Sequence, residues 1–120
     1  MTKLAILSDI HLEFESLVPP EIEAEVIILA GDLGKGAMGI NWASDSYSSK
    51  ETIIIAGHHE FYKWNSIPSG YQELRTMASD RGVTFLEKDI HESNGIRFVG
   101  GTLWTAYDGL GTLKDSLYIA

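Results

Sequence analysis

The 120 residues contain no cysteine. Disulfides, thiolate-held zinc and thiol nucleophiles are therefore excluded. Basic residues are scarce, with nine Lys and Arg against seventeen Asp and Glu, a formal net charge of −8. A nucleic-acid backbone is bound through clustered Lys and Arg, so this balance does not indicate nucleic acid as the main partner. Phosphate-bearing substrates stay open, because bound divalent cations invert the local field. No apolar run approaches the roughly 18 residues of a membrane span. Met1-Thr2-Lys3 and the short run Leu4 to Leu7 lead straight into Ser8-Asp9, too little for a signal peptide. The cytoplasm is the expected location, with no membrane partner. Internal repeats, low-complexity tracts and linkers are also missing, so a single domain over 1–120 is expected. At this length a chain buries roughly 65% of its unfolded surface.

What the chain does have is three short apolar runs, each breaking off into acidic, glycine or histidine residues. They read Lys3-Leu-Ala-Ile-Leu-Ser-Asp9-Ile-His11, Val26-Ile-Ile-Leu-Ala-Gly31-Asp32 and Thr52-Ile-Ile-Ile-Ala-Gly57-His58-His59-Glu60. Continuous Ile, Val and Leu runs of this length are the pattern of buried parallel strands, predicted here at Leu4 to Ser8, Val26 to Ala30 and Thr52 to Ala56. Ligand sites in open α/β sheets lie beyond the carboxyl ends of such strands. Three strand ends that deliver Asp, His, Asp, His, His and Glu to one edge point to a metal-dependent hydrolytic site.

Between the strands, Pro19-Pro20 rules out a helix at that point and leaves Glu21 to Glu25 at most one short turn. A helix is predicted around Asn41 to Tyr47. Pro68-Ser69-Gly70 opens the best helix, Tyr71 to Asp80, where Leu74, Met77 and Ala78 share one face and Gly82 supplies a stop. Val83 to Leu86 reads as a strand. Ile90 to Val99 reads as a hairpin around Asn94-Gly95, a dipeptide suited to two positive-φ positions. Gly100 to Trp104 continues as strand or bend, and the residues to Ala120 carry no clear signal. The fold class is α/β, with antiparallel structure near the end.

The chemistry follows from residue type and spacing. Asp9 and His11 flank one residue that can point into the core, so both can face one ion. Asp32 follows a glycine that allows a tight turn, which makes it a natural bridge between two ions about 3.5–4 Å apart. His58 and His59 are adjacent and point in different directions, one free to ligate and the other to act as general acid. Glu60 can hold an imidazole in one tautomer. His91, before a turn, reads as a solvated residue. Phe61, Tyr62 and Trp64 follow the third run and read as satellite core, with a substrate pocket as the alternative.

Taken in order, these blocks resemble the signature of the calcineurin-like metallophosphoesterases. The family pattern of Asp-x-His, Gly-Asp and Gly-Asn-His-Asp/Glu is met by Asp9-Ile10-His11, Gly31-Asp32 and Gly57-His58-His59-Glu60. The stretch Gly95 to Trp104 is similar to the strand that follows the third block. The resemblance implies an N-terminal part of a four-layer α/β sandwich, incomplete at the C-terminus, in which Val99, Leu103 and Trp104 would face a second sheet. It implies that Asp9, His11, Asp32 and His58 hold two divalent metal ions. His59 would be the proton donor, supported by Glu60, and a metal-bound hydroxide would attack the phosphorus of a phosphomonoester or phosphodiester. His58 stands where the family has Asn, which moves preference from Mg towards Mn, Fe or Zn. The family's later lone His and Gly-His-x-His do not occur, so weak or absent activity of this chain alone is expected, with self-association through an uncovered sheet. The alternative is a non-catalytic metal-binding or interaction fragment. A dinucleotide-binding fold has no support, since Asp9-Ile10-His11 stands where its glycine-rich turn would be.

Overall fold

The computed structural model describes residues 1–63 and 66–103. Trp64, Trp104 and the stretch 105–120 lie outside them. The elements are β1 (Leu4–Leu7), β2 (Val26–Ala30), α1 (Met38–Ser46), β3 (Glu51–Ile55), a 3-10 turn (His59–Lys63), α2 (Ile67–Asp80), β4 (Thr84–Phe85), β5 (Asp89–Ser93) and β6 (Ile96–Gly100). Strands β1 to β4 form a parallel sheet in sequence order, and β5 and β6 form an antiparallel hairpin. The architecture is α/β.

Register explains how the runs are used. Ile6 pairs with Ile28, Ile28 with Ile53, and Leu7 with Leu29. Side chains alternate across the sheet, so Ile27, Leu29, Ile54 and Phe85 share one face. They are buried there in one cluster with Leu33, Ile40 and Ala43 of the α1 region and Leu74 and Ala78 of α2. On the other face Val26 and Ile53 pack with Leu86, and Ile28, Ile55 and Phe98 lean against them. The two central strands are therefore apolar on both sides because a helix layer covers one face and the hairpin covers part of the other.

Cover on that second face is uneven. Ile6 is 67% exposed there, and on the hairpin Ile90 and Val99, a pair that alternates with the sheet-packed Phe98, are 63% and 74% exposed. Leu103, expected to face a second sheet, is 91% exposed.

Helix α2 begins four residues earlier than the apolar period implied. Ser66 takes the extended N-cap conformation and its side chain accepts from the Ser69 N–H at 3.3 Å. Proline needs no N–H partner in a first helical turn, so Pro68 falls inside the helix instead of before it. Helix α1 likewise starts at Met38, ahead of Asn41. The Asn94-Gly95 turn has the two positive φ angles its sequence implied, +52° and +76°. His91 departs from its solvated reading. It lies half-buried on β5, with Nε2 2.6 Å from Glu51 Oε1 at the start of β3, and the Ser93 hydroxyl donates to the same carboxylate. Those contacts hold the Glu51 carboxyl below the usual glutamate range, the serine hydroxyl contributing most, and they tie the hairpin to the sheet. Among the described residues no helix is long and apolar enough to cross a membrane.

Candidate functional site

Because β1, β2 and β3 are parallel neighbours, the segments after them meet at one edge, and their backbones continue the ladder. The Asp9 N–H donates to the Gly31 carbonyl at 3.0 Å, the His11 N–H to Asp32 at 3.1 Å and the Leu12 N–H to Leu33 at 2.7 Å. These bonds hold Asp9, His11 and Asp32 in the left-handed region, with φ of +56°, +53° and +53°. Non-glycine residues rarely occupy it, and strained backbone of this kind costs on the order of 1–3 kcal/mol per residue. Gly31, at φ +92°, sits so close to β3 that a Cβ would lie 2.7 Å from the Gly57 nitrogen. Only glycine allows the β2 and β3 ends to touch there.

Two carboxylates organise the edge. Asp32 Oδ1 accepts the backbone N–H of His58 at 2.7 Å and of His59 at 2.9 Å. Glu60 is 3% exposed. Its Oε1 accepts from Gly57 at 2.7 Å and Asp32 at 3.1 Å, and its Oε2 accepts from Leu33 at 2.7 Å. Burial pushes the Glu60 pKa up, against the pull of these backbone donors. The Glu60 carboxylate thus ties the β2 and β3 loops together through main chain. Its contacts are not the imidazole contact expected from the sequence.

The imidazole contact belongs to a residue the sequence reading did not single out. Glu13 Oε1 lies 2.6 Å from His59 Nδ1 and 3.2 Å from His11 Nδ1. The two rings meet edge to face with centroids 4.4 Å apart. Glu13 is 5% exposed at its side chain, and the rings are 28% and 23% exposed for His11 and His59. Burial works against its charge, yet its own backbone amide and the two histidines outweigh that and hold its pKa below the usual range. In sequence Glu13 is one acid in a run that also holds Glu15, and nothing in the spacing marks it.

Two donor groups result. Asp9, His11 and Asp32 each offer an atom such that all lie within 4.8 Å of one another, and His11, Glu13 and His59 do the same. The His11 Nε2 faces Asp9 Oδ1 at 3.8 Å while its Nδ1 faces Glu13, so His11 belongs to both. Two carboxylates and an imidazole are a mixed O and N set of the kind that holds a divalent cation. The structure thus brings Asp9, His11, Asp32 and His59 together. The His58 ring joins neither group among the described residues; its Nε2 lies 3.4 Å from the Leu103 carbonyl, and its backbone N–H donates to Asp32 at the edge. Phe61 is core at 1% exposure, whereas Tyr62 is 49% exposed beside His59, with centroids 4.7 Å apart. Phe14, 76% exposed, flanks both His11 and His59.

The chain is similar in structure to the phosphopantetheinyl hydrolase (PptH) from Mycobacterium tuberculosis, with a TM-score of 0.55 and 20% sequence identity over 98% of this chain and 52% of that one. At that identity the likeness is one of fold, and this chain spans about half of the neighbour's length. The sequence matches no protein-family model and no curated protein.

Proposed function

We propose that this chain carries the metal-binding edge of a metallophosphoesterase of the calcineurin-like kind, acting on a phosphomonoester or phosphodiester. The observation that supports it most is the Asp9, His11 and Asp32 donor group at the carboxyl edge of a parallel sheet. Those three residues would hold a divalent cation. Asp32 would share a second one with the block at His58, whose backbone its carboxylate already holds. Such ions, when bound, supply Lewis acidity toward a phosphoryl oxygen and lower the pKa of water. His59, in its imidazolium form with Nδ1–H on Glu13, would deliver its Nε2 proton to the departing oxygen and be left as the neutral Nδ1–H ring. The fold likeness to a hydrolase agrees with this reading.

His59→Ala tests the assignment. It should leave bound Mn²⁺ unchanged and, in a length-complete version of the protein, lower turnover of an alkyl phosphate by about 10²–10⁴-fold, the usual worth of a general acid. The loss should shrink for a nitrophenyl ester, whose leaving group needs no proton. Loss of the metal instead would exchange the roles of His58 and His59. If a length-complete version binds the metal and hydrolyses neither ester, the alternative of a non-catalytic cation-binding fragment holds.

A further inference from the structure

We infer that Glu13 is the positioning residue of the site, a single carboxylate that sets the ring orientation and tautomer of both His11 and His59. The geometry allows few other arrangements. One oxygen, Oε1, receives both Nδ1 atoms, at 2.6 Å and 3.2 Å. A carboxylate only accepts, so at the pH where the rings are neutral each Nδ1 carries its proton and each Nε2 keeps its lone pair. For His11 that lone pair is on the side of Asp9, with Nε2 3.8 Å from Oδ1. It is the donor the Asp9, His11 and Asp32 group requires.

The second oxygen strengthens the case. Glu13 Oε2 is buried and has no hydrogen-bond partner among the described residues. A buried acceptor without a partner costs roughly 1–3 kcal/mol, so a glutamate retained there for stability alone is a poor choice. Its cost is offset by what Oε1 does. The same atom touches both rings, so the cation ligand His11 and the proton donor His59 are oriented by one side chain. The sequence-based candidate for this task, Glu60, has its carboxylate on backbone N–H groups.

The tautomer assignment stands on the metal-free geometry, whereas its effect on cation binding rests on the functional reading above. Imidazole ¹⁵N NMR of the 120-residue chain in chelator, followed by Zn²⁺ titration, separates the two. In the unaltered protein His11 and His59 should both show the Nδ1–H form. Glu13→Ala should move both toward the Nε2–H form that an unconstrained imidazole prefers and weaken Zn²⁺ binding about 10–100-fold, the usual effect of losing such an orienting partner. Glu13→Gln keeps one acceptor oxygen and should restore part of both signals, which a purely space-filling role would not do. Unmoved tautomers in a folded Glu13→Ala or Glu13→Gln variant overturn the proposal, as does a tautomer shift with Zn²⁺ affinity intact. If the unaltered chain binds no Zn²⁺ at all, the metallophosphoesterase reading fails, and the NMR result still decides what Glu13 does to the rings.

Discussion

Glu60→Ala is expected to destabilise the metal-free protein by about 3–5 kcal/mol, a large part of the 5–15 kcal/mol that holds a typical domain. Three backbone N–H groups, those of Gly57, Asp32 and Leu33, lose their acceptor together. Each donor left without a partner in a buried place costs roughly 1–3 kcal/mol. Some of this is returned, because burial already penalises the Glu60 charge and pushes its pKa up. Three orphaned donors outweigh one relieved desolvation, so the net sign is clear. Glu60→Gln should fall between, since its amide oxygen can still accept but its NH₂ must face a donor. Urea unfolding in chelator measures all three proteins. A Glu60→Ala variant within 1 kcal/mol of the unaltered chain would show that water replaces the carboxylate and that the β2 and β3 loops are held otherwise.

Asp32→Asn is expected to abolish most cation binding, by more than about 10²-fold, while changing metal-free stability by less than about 1 kcal/mol. The two effects separate because Asn keeps an amide oxygen able to accept the His58 and His59 N–H groups now bound by Oδ1. What is lost is charge at a carboxylate that, alone among the described residues, both joins the Asp9 and His11 donor group and touches the third loop. A charge-assisted contact replaced by a neutral one in a partly buried site loses several kcal/mol. Asp9→Asn should weaken binding less, since Asp9 serves one group only and its side chain is 65% exposed. Calorimetric titration with Mn²⁺ compares the variants. Equal losses at positions 9 and 32 would remove the basis for Asp32 as the shared ligand.

The central strands were legible in the sequence because an Ile and Val run buried on both faces leaves a pattern no exposed element can carry. The Asn94-Gly95 hairpin was legible because two adjacent left-handed positions admit few residues. The start of α2 was not, since Ser66 and Pro68 act through cap geometry that hydrophobic period does not record. At the site, Asp9, His11, Asp32 and His59 were visible as strand-end residues, and the sheet order brings them together. Glu13 was hidden because its partner His59 is 46 residues away, and only the packing of the first loop under the third shows that they meet. The role expected of Glu60 failed to appear for a related reason. Sequence shows a carboxylate beside a histidine, but not the three main-chain donors that converge on it.

The left-handed backbone at Asp9, His11 and Asp32 affects how substitutions there are to be interpreted. Asp, Asn and His are among the residue types that tolerate that conformation best, so each position selects its side chain twice, once for the cation and once for the main chain. Alanine scanning across the edge therefore confounds two losses. Asp9→Ala removes a ligand and also places a Cβ-bearing residue with no polar compensation at φ +56°, whereas Asp9→Gly removes only the ligand. In chelator the Ala variant should melt several degrees below the Gly variant, a gap of about 1 kcal/mol. Equal melting temperatures would mean that the ladder bonds from the second loop, and not residue type, set the conformation at position 9.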